Sequence, residues 1–248
     1  MFSLNNLRFN ATTSLIIINV VVFVVGMMAR QDAIYSIPTP EGYSTSIFEV
    51  MGSYSWFNFA MEGEFWRVIT YQFLHGGLGH LIFNMWALYF FGSAVEQIFG
   101  PKRFLAYYFV CGIAGALFAS LIGGLGIISY GSGSLQEFNA IQNLIAYTDY
   151  VGEVSTWQLI PMVGASASIY GVMIAAAFLF PHAKVSLIFP PITMSLRTLV
   201  IVVIAIATLT IQFNGNNAGG EAGHLGGIIM GIILMIFIKR SLWKTRNW

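Results

Sequence analysis

Four polar side chains that lie in apolar surroundings could together carry out nucleophilic catalysis: Ser166, His224, His80 and Asn84. Serine becomes a nucleophile when a histidine accepts its hydroxyl proton, and such pairs are recognised by geometry rather than by their order in the chain. Imidazole and amide N–H groups, with the backbone N–H of the serine, can hold the negative charge on a carbonyl oxygen under attack. These residue types indicate acyl-transfer chemistry.

Ser168 competes with Ser166 for the part of nucleophile. Because an α-helix turns by about 100° per residue, two serines two positions apart cannot share a face. Tyr170 lies four residues after Ser166, below it on the same stripe, whereas Ser168 points elsewhere and can donate to a backbone carbonyl. We expect Ser168 to be structural.

No carboxylate is expected beside the Ser166–His224 pair. Glu96 lies at the opposite end of its apolar stretch, and Glu221 precedes His224 by three residues in a predicted loop. The sequence therefore predicts a Ser-His dyad rather than a triad, with Ser166 as nucleophile and His224 as base.

The chain is 57% hydrophobic, so other chemistries that operate inside membranes are also candidates; they fit its residues less well. An aspartyl site needs two aspartates within the membrane, but the two in the chain, Asp32 and Asp149, both fall in predicted outer loops, and a His-Glu-x-x-His zinc motif is absent from the sequence. A metal or haem site built from His75, His80 and His224 stays open, although it would lack a carboxylate or thiolate at that depth. We expect neither a metal nor a cofactor.

The elements that position these residues must lie in a membrane. The chain has 248 residues, of which 57% are hydrophobic and 8% charged, whereas about a quarter of an ordinary soluble domain is charged. This composition excludes a soluble globular enzyme and a disordered chain, and the net charge of +1 gives no reason to expect nucleic acid as a partner. A single cysteine, Cys111, excludes a disulfide framework.

Apolar stretches long enough to approach the thickness of a bilayer occur six times. They predict spans at about residues 12–28, 80–99, 104–127, 166–180, 196–213 and 222–238. The predicted fold is an all-α, polytopic bundle of six transmembrane helices forming a single membrane domain over residues 1–248. The first outer loop is rich in aromatic residues and is expected to lie at the membrane interface, and residues 128–163 form a long outer loop.

Cations sort strongly to one side of this arrangement. Only Arg30 and Arg67 of the eleven cations fall in the loops assigned to the outer side, and the other nine are Arg8, Lys102, Arg103, Lys184, Arg197, Lys239, Arg240, Lys244 and Arg246. By the positive-inside rule both termini are cytoplasmic. The compact chain favours a prokaryotic plasma membrane.

This topology brings the candidate residues to one depth. His80, Ser166 and His224 open the second, fourth and sixth predicted spans, which all start at the outer leaflet, and Asn84 lies one turn below His80. Small residues line the faces that would meet: Gly227 and Gly231 follow His224, and Gly164, Ala167 and Gly171 surround Ser166. Such stripes allow helix backbones to approach closely in lipid, and packing alone also explains them.

Four motifs together resemble the rhomboid family of intramembrane serine proteases. They are Glu64-Phe-Trp66-Arg67 followed by the spaced His75, His80 and Asn84; Glu96-x-x-x-Gly100; Gly164-x-Ser166 with Tyr170; and His224-x-x-Gly227. The resemblance implies a compact six-helix bundle in which Ser166 attacks a peptide bond of a single-pass transmembrane substrate and His224 relays the proton. Substrate is expected to enter laterally near spans 2 and 5, with small residues at the cut.

The resemblance also assigns supporting roles. It implies that His80, Asn84 and the Ser166 amide hold the oxyanion and that Tyr170 packs on His224. Glu64, Trp66 and Arg67 would brace the first outer loop, His75, Gly164 and Gly227 would support the site, and Glu96 would be structural. Residue 167 is Ala where the family usually has Gly, and residue 223 is Gly where Ala is common; both exchanges keep the residue small.

Two other functions compete with a protease. A non-catalytic binder or chaperone of transmembrane helices could use the same scaffold, although Ser166 and His224 are both present. A channel or transporter would place polar residues through the full thickness of the membrane, whereas the titratable groups here stay in its outer half.

Overall fold

The computed structural model describes residues 10–31, 36–38, 44–128, 161–186, 191–213 and 217–245. Most of these residues are helical. The helices are α1 (Ala11–Gln31), α2 (Ile47–Gly52), α3 (Arg67–Thr70), α4 (Leu78–Ala87), α5 (Ser93–Phe99), α6 (Pro101–Gly124), α7 (Ser166–Leu179), α8 (Leu196–Gln212) and α9 (Ala218–Thr245). Two short antiparallel pairs, β1 (Ser36–Pro38) with β2 (Ser44–Ser46) and β3 (Lys184–Ser186) with β4 (Thr193–Ser195), lie between helices.

Four helical stretches within the described ranges are long and apolar enough to cross a membrane. They are Ala11–Gln31, Leu78–Phe99, Pro101–Gly124 and Ala218–Ile238; the second runs from α4 into α5 through a π-helical segment, Leu88–Gly92. Helices α7 and α8 are apolar but shorter, with 14 and 17 residues. At 1.5 Å per residue they extend only about 21 and 26 Å, against a hydrocarbon core of about 30 Å. Each of the six predicted apolar stretches is helical in the structure.

The last helix differs from its predicted extent in a way that matters for the site. It begins at Ala218 rather than near residue 222, so Glu221 lies in its first turn and not in a loop. The uncharged apolar stretch begins after Glu221, but the N-terminal end of a helix favours a carboxylate because the first N–H groups carry a partial positive charge. Helix α9 therefore includes Glu221, which the predicted span 222–238 leaves out.

Helix α7 lies at the centre of the bundle. It packs against α6 and α9, and ten of its 14 residues are buried. Helix α8 contacts α7 and α9 and buries only Leu196 and Ala207. A helix that is apolar on all sides and covered on most of them is a core helix, so the sequence that carries Ser166 is held on several sides by other helices.

The segment between α1 and α4 folds over short elements: α2, a π-helical turn at Phe57–Met61, α3 and a 3-10 turn at Tyr71–Phe73. It is joined to the chain just before α7 by a two-way backbone pair, in which the N–H of Tyr54 donates to Met162 O at 3.0 Å and the N–H of Met162 donates to Tyr54 O at 2.6 Å. The predicted long outer loop 128–163 falls mostly outside the described residues; its first residue, Ile128, is buried.

Candidate active site

Ser166 and His224 meet between two helices. Ser166 is the first residue of α7, and His224 lies in the second turn of α9. The distance from His224 Nε2 to Ser166 Oγ is 2.8 Å, a full hydrogen bond between residues 58 positions apart. This is the contact that a histidine base needs in order to accept the proton of a serine nucleophile.

Small residues allow the two helices to approach this closely. A methyl group added at Gly227 would overlap the carbonyl group of Ala167, and one added at Gly231 would lie 3.0 Å from the Cα atom of Gly171. Both positions belong to the small-residue faces that the sequence indicated. Contact between helix backbones, rather than between long side chains, therefore sets the separation of Ser166 and His224.

Helix α6 holds the same two helices from a third side. The hydroxyl of Tyr107 lies 2.9 Å from Gly171 O and 3.0 Å from Gly231 O, so a single phenolic group bridges α7 and α9. A methyl group at Gly115 would lie 2.7 Å from Gly223 O. No local sequence pattern predicts this role of Tyr107, because the bridge depends on three helices meeting at one point.

Tyr170 stacks on the base. Its ring lies parallel to that of His224, with 4.2 Å between centroids and 10° between planes. Tyr170 is one turn after Ser166 on α7, so the helix that presents the serine also presents the surface on which the imidazole lies. The stack fixes the plane in which the imidazole can approach Ser166.

Glu221 is a functional candidate that the sequence argument placed wrongly. Its Oε2 atom lies 3.0 Å from His224 Nδ1, so a carboxylate does stand beside the Ser166–His224 pair. Residues three positions apart on a helix face the same side, and because α9 begins at Ala218 this spacing applies to Glu221 and His224. The i, i+3 spacing was a signal that could have found the contact.

Two of the predicted oxyanion donors, the Ser166 N–H and the His80 imidazole, lie near Ser166 Oγ. The first N–H groups of a helix have no partner within it, and Ser166 is the first residue of α7. The imidazole of His80 borders Gly164, where an added methyl group would lie 2.9 Å from His80 Nε2 and 3.6 Å from Ser166 Oγ. Gly164 has a φ of 126°, which side-chain-bearing residues rarely adopt. Both the backbone conformation and the limited space therefore favour glycine at position 164.

Asn84 is buried one turn after His80, and its Nδ2 atom donates to His80 O at 3.0 Å. This bond uses one of the two amide protons and leaves the second for another acceptor. His75 packs beside His80 with 5.0 Å between ring centroids. Burial, followed by the proximity of His80, lowers the pKa of His75 to about 4, so this imidazole is neutral near pH 7. Among the described residues no group of three His, Cys, Asp or Glu side chains is placed to hold a metal ion.

Ser168 is turned away from His224, as its angular separation from Ser166 predicts. It is buried, and its hydroxyl donates to Gln72 Oε1 at 2.8 Å. The partner is thus a side chain of the 3-10 turn and not the backbone carbonyl that we expected. Gln72 in turn donates to Val68 O at 2.7 Å, so Ser168 joins α7 to the segment that precedes α4.

Arg67 organises the segment before α4. It is buried, and its guanidinium donates to Glu64 at 2.5 Å and to the carbonyl oxygens of Val50 and Ser53, both at 2.7 Å. Trp66 is 51% exposed, and its indole N–H reaches Met51 O at 3.4 Å. These contacts connect α3 with the chain around α2.

Glu96 serves as a cap for another helix. It accepts hydrogen bonds from the N–H of Ala11 at 2.7 Å, the N–H of Thr12 at 2.8 Å and the Thr12 hydroxyl at 2.6 Å. A carboxylate at the start of α1 satisfies unpaired N–H groups and complements the helix dipole. Glu96 therefore joins α5 to α1.

Four helices of membrane-crossing length within the described residues, together with a serine on the shorter α7 that is hydrogen-bonded to a histidine on α9, define a multi-pass helical membrane protein with a hydrolase-like pair. A family model described as "Rhomboid domain" matches residues 62–241, which include all of these residues. The chain belongs to the rhomboid family.

The relatives of the chain include proteins named as proteases and one whose name calls it inactive. The chain is 31% identical over 172 residues to "Rhomboid protease GluP" of Bacillus subtilis, covering 68% of this chain and 25% of that protein. It is 30% identical over 185 residues to "Rhomboid protease AarA" of Providencia stuartii, covering 73% and 58%. It is 46% identical over 80 residues to "Inactive RHOMBOID-like protein 8" of Arabidopsis thaliana, covering 32% and 23%. The chain thus spans less than two thirds of the length of each.

Proposed function

We propose that the protein is an intramembrane serine endopeptidase that cleaves single-pass transmembrane proteins near the outer leaflet. The observation that carries this proposal is the 2.8 Å contact between His224 Nε2 and Ser166 Oγ, made inside a membrane protein of a family that contains proteases. A hydroxyl buried in a bundle without such a base would be a helix-to-helix contact and no more.

In the proposed reaction Ser166 Oγ attacks the carbonyl carbon of the scissile peptide while His224 Nε2 takes the hydroxyl proton. The Ser166 N–H, His80 and Asn84 donate to the oxygen that becomes negative. His224 then passes the proton to the leaving amine nitrogen as the C–N bond breaks, which leaves an acyl-enzyme. Water activated by His224 hydrolyses the ester and restores the serine. Removing one oxyanion donor typically raises such a barrier by about 3–4 kcal/mol.

The proposed arrangement in the membrane has six spans and both termini in the cytoplasm. Helices α7 and α8 then cross as short segments, and the first residue of α7 lies below the outer surface rather than at it. The cation distribution supports this orientation. Exposed Phe65 and Trp66, 64% and 51% accessible, support an interfacial position for the segment before α4. We assign the protein to a prokaryotic plasma membrane, with residues 1–248 as one membrane domain.

The proposed substrate is a transmembrane helix that enters laterally near the Leu78–Phe99 stretch, which runs from α4 into α5, and near α8, and is cut at small residues. A peptide bond inside an intact helix is protected by its hydrogen bonds, so the segment must unwind where it meets Ser166. Lipid and the substrate helix are then the partners of the protein, and the chemistry uses no cofactor and no metal.

A non-catalytic binder of transmembrane helices is the second candidate. It is favoured by the similarity over 80 residues to a relative whose name calls it inactive. Both candidates use the same bundle and the same helix-binding surface. They differ only in whether Ser166 forms a covalent bond.

Membranes that contain the protein and a tagged transmembrane substrate separate these candidates. We expect Ser166→Ala to abolish cleavage and Ser168→Ala, the matched control two residues along the same helix, to retain it. A fluorophosphonate probe should label the wild type and Ser168→Ala but not Ser166→Ala. Equal cleavage by Ser166→Ala would refute the protease, and an unlabelled, inactive wild type would favour the binder.

A further inference from the structure

We propose that Glu221 is a positioning residue which holds His224 in the tautomer that serves Ser166, so that the site works as a Ser166–His224–Glu221 triad. This inference rests on the proposed protease function. The two nitrogens of one imidazole are engaged on opposite sides: Nδ1 lies 3.0 Å from Glu221 Oε2, and Nε2 lies 2.8 Å from Ser166 Oγ.

The chemistry of the partners decides where the imidazole proton lies. An ionised carboxylate can only accept hydrogen bonds, so the proton of a neutral His224 must be on Nδ1 for this contact to form. Nε2 then carries the lone pair that accepts the serine proton. Without an acceptor at Nδ1 the proton could occupy Nε2, and the imidazole would donate to Ser166 instead of activating it.

The carboxylate is held on a rigid element. Glu221 is three residues before His224 on α9, and its backbone N–H donates to Asn217 O at 3.0 Å. The side chains of Glu221 and His224 are 18% and 14% exposed, which limits solvent competition for the hydrogen bond. The ring of Tyr170 stacks on the His224 imidazole with 4.2 Å between centroids, and this stack restrains the rotation of the imidazole. A carboxylate and an imidazole so placed keep one relative orientation.

The proton account of the step balances. As the Oγ–C bond forms, the serine proton moves to Nε2, and the resulting imidazolium stands between the tetrahedral intermediate and the Glu221 carboxylate. The Nδ1 proton stays on Nδ1, and Glu221 stays ionised throughout. When the C–N bond breaks, the Nε2 proton moves to the leaving nitrogen. Glu221 thus stabilises a charge that exists only during the reaction.

Glu221 could instead merely stabilise the first turn of α9, since an acid at that position complements the helix dipole. The experiment therefore includes a measurement that does not depend on the stability of the helix. Glu221→Leu removes both the charge and the acceptor, Glu221→Asp keeps a carboxylate, and Glu62→Leu makes the same exchange at an exposed acid of the segment before α4.

Cleavage of a tagged transmembrane substrate in detergent should show kcat reduced between about tenfold and a hundredfold in Glu221→Leu, with KM unchanged, because a charge-assisted hydrogen bond to the base is lost. Glu221→Asp should fall between Glu221→Leu and wild type, and Glu62→Leu should match wild type. The tautomer is read from the ¹⁵N resonances of protein labelled with [¹⁵N]histidine, with the His224 signals identified by their absence from His224→Gln.

We expect a protonated Nδ1 in wild type and Glu221→Asp, and a shift of the proton towards Nε2 in Glu221→Leu. Wild-type kcat in Glu221→Leu would overturn the inference, and so would a reduced kcat with an unchanged tautomer. Failure of the proposed function looks different: the wild type would neither cleave substrate nor react with a fluorophosphonate, while the tautomer measurement would still report whether Glu221 orients His224.

Discussion

Replacing Gly227 by alanine adds one methyl group at the closest approach of α7 and α9. The new Cβ atom would lie 2.8 Å from the carbonyl carbon of Ala167 and closer still to its oxygen, whereas ordinary Cβ contacts begin at 3.4 Å. The two helices must therefore separate by at least about 0.6 Å, the difference between those distances. Because the obstacle is backbone, no change of side-chain rotamer can relieve it.

This separation acts directly on the Ser166–His224 contact. A hydrogen bond of 2.8 Å lengthened by the same amount becomes about 3.4 Å, where proton transfer from Ser166 is poorly supported. Misplacement of reacting groups by about 1 Å can cost about a hundredfold in rate, so we expect at least about a tenfold loss of kcat. Overpacking of a close-packed core should also lower the free energy of unfolding by about 1–3 kcal/mol.

Substrate cleavage and thermal unfolding, both measured in detergent, test these values. Gly26→Ala is the matched control, since it makes the same exchange inside α1 with the nearest atom, Ser46 Oγ, at 3.8 Å. It should leave kcat unchanged and raise stability by up to about 1 kcal/mol. Adding Ala167→Gly to Gly227→Ala should not rescue activity, because the clash is with the backbone. Wild-type kcat and stability in Gly227→Ala would refute the reasoning.

Three further changes test other contacts. Arg67→Lys should lower the unfolding free energy by about 2 kcal/mol, because one ammonium cannot replace a guanidinium that holds a carboxylate and two carbonyl oxygens; thermal unfolding measures this, and an unchanged midpoint would contradict it. Glu96→Gln should lower the unfolding free energy by about 1–3 kcal/mol, because the charged cap on the start of α1 at Ala11 and Thr12 is lost. At temperatures well below the unfolding transition kcat should be unchanged. A loss of kcat without loss of stability would place Glu96 in the site instead. His75 has a pKa of about 4 in the folded protein, against the usual 6.5. As the pH falls, the unfolded chain therefore takes up a proton before the folded protein does. The free energy of unfolding should decrease by about 3 kcal/mol between about pH 6.5 and pH 4. His75→Gln should flatten that slope in unfolding measured at several pH values, whereas His182→Gln, at an exposed residue, should not; equal slopes in all three proteins would be evidence against a buried, neutral His75.

The helices and the Ser166–His224 pair could be predicted from the sequence for physical reasons. Lipid requires backbone groups to be satisfied within each segment, so long apolar stretches had to be helical. Polar groups are costly in such stretches, which singled out Ser166 and His224. The predicted alternation of the chain across the membrane places their helix ends at the same depth, and Gly227 and Gly231 mark the face of close contact.

Other parts of the site depend on information that local patterns do not carry. The charge pattern predicts a loop at Glu221, because a charged residue before an apolar stretch is equally compatible with a loop and with the first turn of a helix. The partner of Ser168 is Gln72, 96 positions away, and the bridge made by Tyr107 needs the relative placement of three helices. The short strands of three residues have too few side chains to show a period of two.

The two-way backbone pair between Tyr54 and Met162 determines how a change in chain length before α7 affects the position of Ser166. Met162 lies four residues before Ser166 and is fixed to the segment before α4, while Ile128, 34 positions earlier in the chain, is buried against Ala119, Ala218 and Ala222. The residues at both ends of the intervening chain are thus attached to the rest of the protein. Closing a loop twice as long costs only about 0.6 kcal/mol more. We therefore expect a change of chain length between these two anchor points to leave Met162, and with it Ser166, in place.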